Sequence, residues 1–142
     1  MVLTADERKV LTSTWAKVSG HLDEMGGDAL CRMLTTFPQT KTYFPHYDMS
    51  PGSKDLQHHG QKVAKALDNA LHHLDNVRGT MSDLADLHAY NLRVDPVNFK
   101  LLAKCFHVVL ATYLRADYTC YVYLCLDKFF YLLAEVLTEK YR

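Results

Sequence analysis

The stretch Leu87-His88-Ala89-Tyr90-Asn91-Leu92-Arg93-Val94-Asp95-Pro96-Val97-Asn98-Phe99-Lys100-Leu101-Leu102 decides the reading of this chain. A histidine closes one apolar segment, a short polar turn follows, and Asp95-Pro96 opens the next. Asp is a favoured N-cap, and Pro at the first helical position gives up an N–H that has no partner there anyway. His88 therefore stands near a helix C-terminus among Leu84, Leu87 and Leu92, with Val94, Phe99 and Leu102 beyond the corner. An imidazole turned into an apolar wall is costly unless its nitrogens are satisfied. A hydrogen bond within the core is the common solution, and a metal ion in an apolar macrocycle is another.

A second histidine lies upstream on a separate segment. Ser53 is the expected cap of a helix on which His59, Val63, Ala66, Leu67 and Ala70 fall at i, i+4, i+7, i+8 and i+11, one continuous face. Its small residues leave room for a flat ligand that leucines would fill. His58 is turned about 100° away, so only one of the pair looks into such a slot. Lys62 lies beside the stripe, either solvated or reaching a carboxylate at the ligand's edge. His59 and His88 thus read as two core histidines or as a pair flanking one flat apolar group.

Composition narrows the classes. The 142 residues suit one domain, 1–142, with a core large enough to fold alone. A formal charge of +0 gives no electrostatic case for nucleic acid or an acidic membrane surface. We expect no apolar run of membrane-spanning length and no signal peptide, hence a soluble intracellular protein. The cysteines at 31, 105, 120 and 125 form no Cys-x-x-Cys pattern and are expected as reduced thiols.

The rest of the chain reads as all-α. Thr4-Ala5-Asp6-Glu7 is a capping box ahead of Leu11, Trp15, Val18 and Leu22 at helical spacing, with a break at Gly20. Trp15 reads as a core anchor. A second helix runs to about Phe37, its Gly26 and Gly27 suited to a close helix crossing. Pro38 starts a short turn, and Pro45 and Pro51-Gly52 bound an irregular aromatic corner. His72 and His73 read as surface residues. Thr80-Met81-Ser82-Asp83 offers another capping box, and two long helices follow, roughly Asp95 to Tyr113 and Thr119 to Thr138. Leu126, Phe129, Phe130, Leu133 and Leu137 form the last core stripe. Cys120, Tyr123, Leu124 and Asp127 recur at i, i+3, i+4 and i+7, a second face that core packing does not explain. Cys125 should face elsewhere, exposed and reactive. Gly-x-Gly-x-x-Gly, phosphate-loop and Gly-x-Ser-x-Gly patterns are absent, and no carboxylate pair reads as an acid/base dyad.

Four segments carry a resemblance: Thr42-Tyr43-Phe44-Pro45-His46-Tyr47-Asp48, His58-His59-Gly60-Gln61-Lys62-Val63, the stretch from 88 to 100, and Leu137-Thr138-Glu139-Lys140-Tyr141-Arg142. Together they resemble vertebrate haemoglobin alpha-type chains of the globin family over the whole length. The segments 38–46 and 88–100 look most like the alpha-D type. The resemblance implies an all-α globin fold of about seven helices around a non-covalent haem b, with His88 as the proximal iron ligand and His59 as the distal residue that hydrogen-bonds dioxygen. Tyr43, Phe44, His46, Lys62, Val63, Leu84, Leu87, Leu92, Val94, Asn98, Phe99, Leu102 and Leu137 would surround the haem. It implies reversible oxygen transport rather than catalysis, in a tetramer with two beta-type chains inside red blood cells.

By the same resemblance, Gln39, Thr42, Pro45, Asp95, Tyr141 and Arg142 belong to the contacts that shift between quaternary states. Gln39 replaces the threonine of commoner alpha chains. Arg32, Phe37, Lys104 and His107 would join Cys120, Tyr123, Leu124 and Asp127 on the tight contact with a beta-type partner. Tyr90, Lys104, Tyr113 and Tyr123 stand where adult alpha chains usually carry histidines, which implies altered proton linkage. Two other classes compete with the carrier. A peroxidase-like haem enzyme would want a carboxylate behind the proximal imidazole and a distal cation, and neither adjoins His88 or His59. A helical interaction module with structural histidines would be colourless.

Overall fold

Thr4 and Glu7 start the first helix by exchanging hydrogen bonds: Glu7 N–H donates to Thr4 Oγ1 at 3.1 Å and Thr4 N–H to Glu7 Oε1 at 2.7 Å. This computed structural model describes residues 2–92 and 95–139, the side chains of 90–92 excepted. Among them run α1 (Ala5–Val18), α2 (Leu22–Thr36), α3 (Lys54–Leu71), the short α4 (Val77–Thr80) and α5 (Ser82–Asp86), then α6 (Val97–Leu114) and α7 (Cys120–Thr138). No strand occurs among the described residues. Tight 3₁₀ turns join α1 to α2 and form Pro38–Tyr43, and a wider π-type turn, Leu87–Leu92, follows α5.

Side-chain caps mark several helix starts. Ser53 Oγ accepts from Leu56 N–H at 3.2 Å to open α3, and Thr119 Oγ1 accepts from Val122 N–H at 3.2 Å to open α7. The expected capping box at Thr80–Asp83 does not form. The Thr80 hydroxyl bonds back to the Asn76 carbonyl at 2.8 Å, and Met81 precedes α5 without a side-chain cap. At the next boundary the cap is displaced by one residue. Asp95 Oδ1 accepts from Val97 N–H at 3.1 Å, and Pro96, expected as the first helical residue, is itself the N-cap.

The core gathers the apolar faces of α1, α2, α6 and α7, with Leu11, Met25, Leu34, Leu110, Leu126 and Phe129 fully buried. Trp15 is buried but has a further duty, donating Nε1–H to Asp68 Oδ1 at 2.9 Å and so fastening α1 to α3. Lys128 on α7 reaches both Glu7 oxygens, at 2.8 and 3.1 Å, and holds that carboxyl down at about 2. Contrary to the expectation of no membrane-length run, Val97–Asp117 is long and apolar enough to cross a membrane. Phe106, Val109, Leu110 and Leu114 turn its apolar surface into the core.

The crossing of α2 and α3 is made by Gly26 and Gly60. A Cβ on Gly26 would stand 2.0 Å from the Gly60 carbonyl oxygen, and one on Gly60 would stand 2.3 Å from Gly27 N. Gly27, expected to share the role of Gly26, would find open space around its own Cβ. Because Gly60 follows His59 directly, the crossing fixes the depth of that histidine.

Candidate functional site

His59 enters the interior from α3 with its ring half-buried. The rings of Phe44 and Tyr47, from the corner before α3, stand edge-on to it at 5.3 and 4.6 Å. Its Nε2 is buried and makes no hydrogen bond. Burial, reinforced by Lys62 and His58, pushes its pKa below the usual imidazole value, so the ring favours the neutral form. Val63, Ala66 and Leu67 continue the face half-buried, and Ala70 is fully buried. Lys62 and His58 are exposed, as the helical geometry required.

His88 occupies the π-type turn, one wide turn after Leu84. Its Nδ1 stands 2.8 Å from the Leu84 carbonyl oxygen, and its ring packs against Phe99 at 5.3 Å. A carbonyl only accepts, so Nδ1 carries the hydrogen and Nε2 is the basic nitrogen of the neutral ring. A backbone-oriented imidazole of this kind is what a metal-ligating histidine needs. Among the described residues no group of three or more His, Cys, Asp or Glu side chains is placed to chelate a bare metal ion. The donor set is one oriented imidazole and one buried nitrogen without a partner. That fits an iron already held in a macrocycle better than a polydentate protein site.

The remaining sequence-predicted residues separate into groups. Tyr43, Asn98 and Asp95 come together: Tyr43 Oη accepts from Asp95 N–H at 3.1 Å and from Asn98 Nδ2 at 2.9 Å. This ties the turn after α2 to the start of α6. Gln39, Thr42 and Pro45 lie exposed along that turn, and His46 and Leu87 are also exposed. Leu84, Phe99 and Leu102 are half-buried and Leu137 is buried. Val94, Tyr141 and Arg142, and the side chains of Tyr90 and Leu92, lie outside the described residues.

On α7 the second face is open, with Cys120 and Asp127 exposed, Tyr123 41% and Leu124 64% exposed. Arg32 and Lys104 are exposed and Phe37 half-buried. Cys125 corrects its expectation. It is 1% exposed, because Cys125, Phe129, Leu132 and Val136 recur at i, i+4, i+7 and i+11 as a second buried row beside the anticipated stripe. Burial also raises its thiol pKa, so the sequence-based expectation of a reactive Cys125 does not hold.

Sequence reasoning placed His107 and Asp127 side by side in an interface but missed Tyr118. His107 is buried, with Nδ1 2.5 Å from Tyr118 Oη and Nε2 3.1 Å from Asp127 Oδ1. A carboxylate oxygen accepts, so Nε2 carries the hydrogen and the Tyr118 hydroxyl donates to Nδ1. Burial, with Tyr123 and Asp127 nearby, pushes the Tyr118 hydroxyl up to about 12 and keeps it a donor. The three residues lie on different elements, so no local spacing signals the cluster.

Residues 27–137 match the globin family model. Over 141 residues, 99% of this chain and the whole of each relative, the chain is 61% identical to hemoglobin subunit alpha-D of Erythrolamprus miliaris. It is 59% identical to that of Drymarchon melanurus erebennus and 58% to that of Chloephaga melanoptera over the same span.

Proposed function

This chain belongs to the globin family, and on that premise we propose that it carries dioxygen reversibly on haem b as the alpha-type subunit of a tetramer with two beta-type chains, inside red blood cells. The observation that carries the reading is the contrast between two imidazoles. His88 commits Nδ1–H to a main-chain carbonyl, and His59 keeps a buried Nε2 without a partner. Haem, when bound, supplies a ferrous iron able to take up and release dioxygen.

His88 would hold that group through Nε2, oriented by Leu84. Val63, Leu84, Phe99, Leu102 and Leu137 would exclude water from its faces, with Phe44 stacked against it and Tyr43, His46, Lys62, Leu87 and Asn98 toward its edge. Neutral His59 would offer an N–H to a partly negative ligand, an interaction that favours dioxygen over less polar gases. A main-chain carbonyl holding the proximal ring suits a carrier, whose iron ligand needs a fixed orientation. The alpha-D names of the relatives support the subunit assignment.

The open face of Cys120, Tyr123, Leu124 and Asp127 would receive the beta-type partner, with Arg32, Phe37 and Lys104 beside it and His107 supporting Tyr123 from behind at a ring distance of 4.6 Å. Tyrosine suits such a contact because it buries a large ring while its hydroxyl stays bonded. Gln39, Thr42, Pro45 and Asp95, with Tyr141 and Arg142, would form the shifting contact between quaternary states.

The deciding experiment is the absorption spectrum of the ferrous haem-loaded protein with and without oxygen. A reversible change is expected. A protein that takes up no haem, or that consumes oxygen under a reductant without releasing it, contradicts the reading. For the interface, Cys120 should react with a thiol reagent in the isolated chain and be shielded once a beta-type chain is added. Equal labelling with and without the partner would remove that face from the interface.

A further inference from the structure

A cluster of polar side chains lies where α6 meets α7, behind the open face of α7. His107 of α6 is its centre: the Tyr118 hydroxyl donates to Nδ1, and Nε2–H donates to Asp127 Oδ1 at 3.1 Å. Tyr123 lies against the ring at 4.6 Å, and Phe130 stands edge-on to it at 5.1 Å. The two partners of the His107–Asp127 contact keep very different amounts of water. The His107 side chain is 11% exposed and that of Asp127 56%. Charges on the neighbouring helices are engaged elsewhere: Arg32 of α2 pairs with Asp28 and acts on Cys105, and Lys17 of α1 pairs with Asp117. On α6 itself Lys104 is exposed. Among the described residues Asp127 is thus the charged group that acts on His107.

We infer that docking of a beta-type chain on this face draws a proton from solvent onto His107, so that the pair assembles more tightly as pH falls below neutral. The inference rests on the reading of the α7 face as the partner contact. In the isolated chain burial presses His107 toward its neutral form. Covering the face takes little more water from His107, which has almost none left to lose, but much from Asp127. The penalty at the histidine therefore barely grows, while the attraction between carboxylate and imidazolium strengthens as water leaves the carboxylate. The added proton also has a place. Nε2 already carries a hydrogen, so the proton binds at Nδ1, which then donates to Tyr118 Oη while the phenolic hydrogen turns away from the ring.

The test uses this chain and a beta-type chain, both haem-loaded in the carbon monoxide form. It reads the ring resonance of His107, assigned through its contacts with Tyr123 and Phe130. The titration midpoint should lie at higher pH in the pair than in the isolated chain, and Asp127→Asn should abolish the difference. By linkage, the state that holds the proton better gains as pH falls, and that state is the pair. Between about pH 8 and about pH 6 the unmodified pair should therefore tighten about two- to fivefold more than the His107→Gln pair does. An unmoved or lowered midpoint in the pair overturns the inference, as does an equal pH dependence with and without His107. Cys120 labelling in the same samples separates the two readings. A shielded Cys120 with an unmoved His107 midpoint overturns the proton uptake alone, and an unshielded Cys120 overturns both.

Discussion

His59 and His107 begin alike and end differently. Burial presses both below the usual imidazole value, and aromatic rings surround both. Yet both His107 nitrogens are engaged, by Tyr118 and Asp127, whereas Nε2 of His59 is buried with nothing to bond. Leaving a buried polar atom unpaired costs roughly 1–3 kcal/mol, which a fold tolerates where the partner arrives from outside. The lesson is that burial alone does not mark a ligand-binding histidine. The unfilled hydrogen-bond valence does.

The comparison is broken most severely at the third histidine. Replacing His88 with Gly should speed haem loss by more than about a hundredfold, since even the outer partners of a metal ligand are worth 10- to 100-fold. Imidazole added to the medium should restore the haem spectrum. Unchanged haem retention in the variant would show that another residue holds the iron.

Next comes the scaffold that sets the depth of His59. Gly26→Ala drives a methyl into the Gly60 carbonyl and should cost about 3 kcal/mol in urea unfolding, with a disturbed haem environment. Gly27→Ala meets open space and should be neutral or stabilising by up to about 1 kcal/mol. Equal effects from the two would mean that the helices do not cross at this glycine.

The satisfied cluster should respond in stability and not in oxygen affinity. Tyr118→Phe strands Nδ1 of His107 and should cost about 1–2 kcal/mol, with oxygen affinity of the isolated haem-loaded chain unchanged. A shift in that affinity would contradict the separation of the two regions.

The smallest effects are those of pH. The folded-state pKa of His107 lies below 6.5, so the unfolded chain binds the proton more readily, and the stability this confers falls as pH drops below 6.5. His107→Gln should flatten that part of the stability profile. For Glu7 the folded value is about 2 against 4.5, so its contribution is full above 4.5 and lost between 4.5 and about 2. Glu7→Gln should flatten the profile only there.

Much of this was legible in the chain. The helical period, the caps at Thr4 and Ser53, and the inward face of α3 are local patterns, and the structure follows them. His88 was recognisable by its apolar neighbours, and the orienting carbonyl was foreseeable because a helical histidine lies over the residue four before it. What stayed hidden is long-range or depends on a stripe's width. Gly60 gave no sign of itself until α2 lay across it. Trp15 with Asp68, Lys128 with Glu7, and Tyr118 with His107 join elements that only tertiary packing brings together. Cys125 does turn away from Cys120, but the buried face of α7 is broad enough to take it in, a width that the spacing of the core stripe alone does not reveal.

The central claim is that the open valence of His59 is reserved for a polar ligand. Its most direct test is the oxygen and carbon monoxide affinity of His59→Leu, measured side by side with the unmodified haem-loaded chain. Loss of a hydrogen bond to a partly charged ligand, worth roughly 1.5–3 kcal/mol, predicts oxygen affinity weakened on the order of 10- to 100-fold, carbon monoxide affinity much less, and faster oxidation of the iron. Equal losses for the two gases, or none for either, would contradict it.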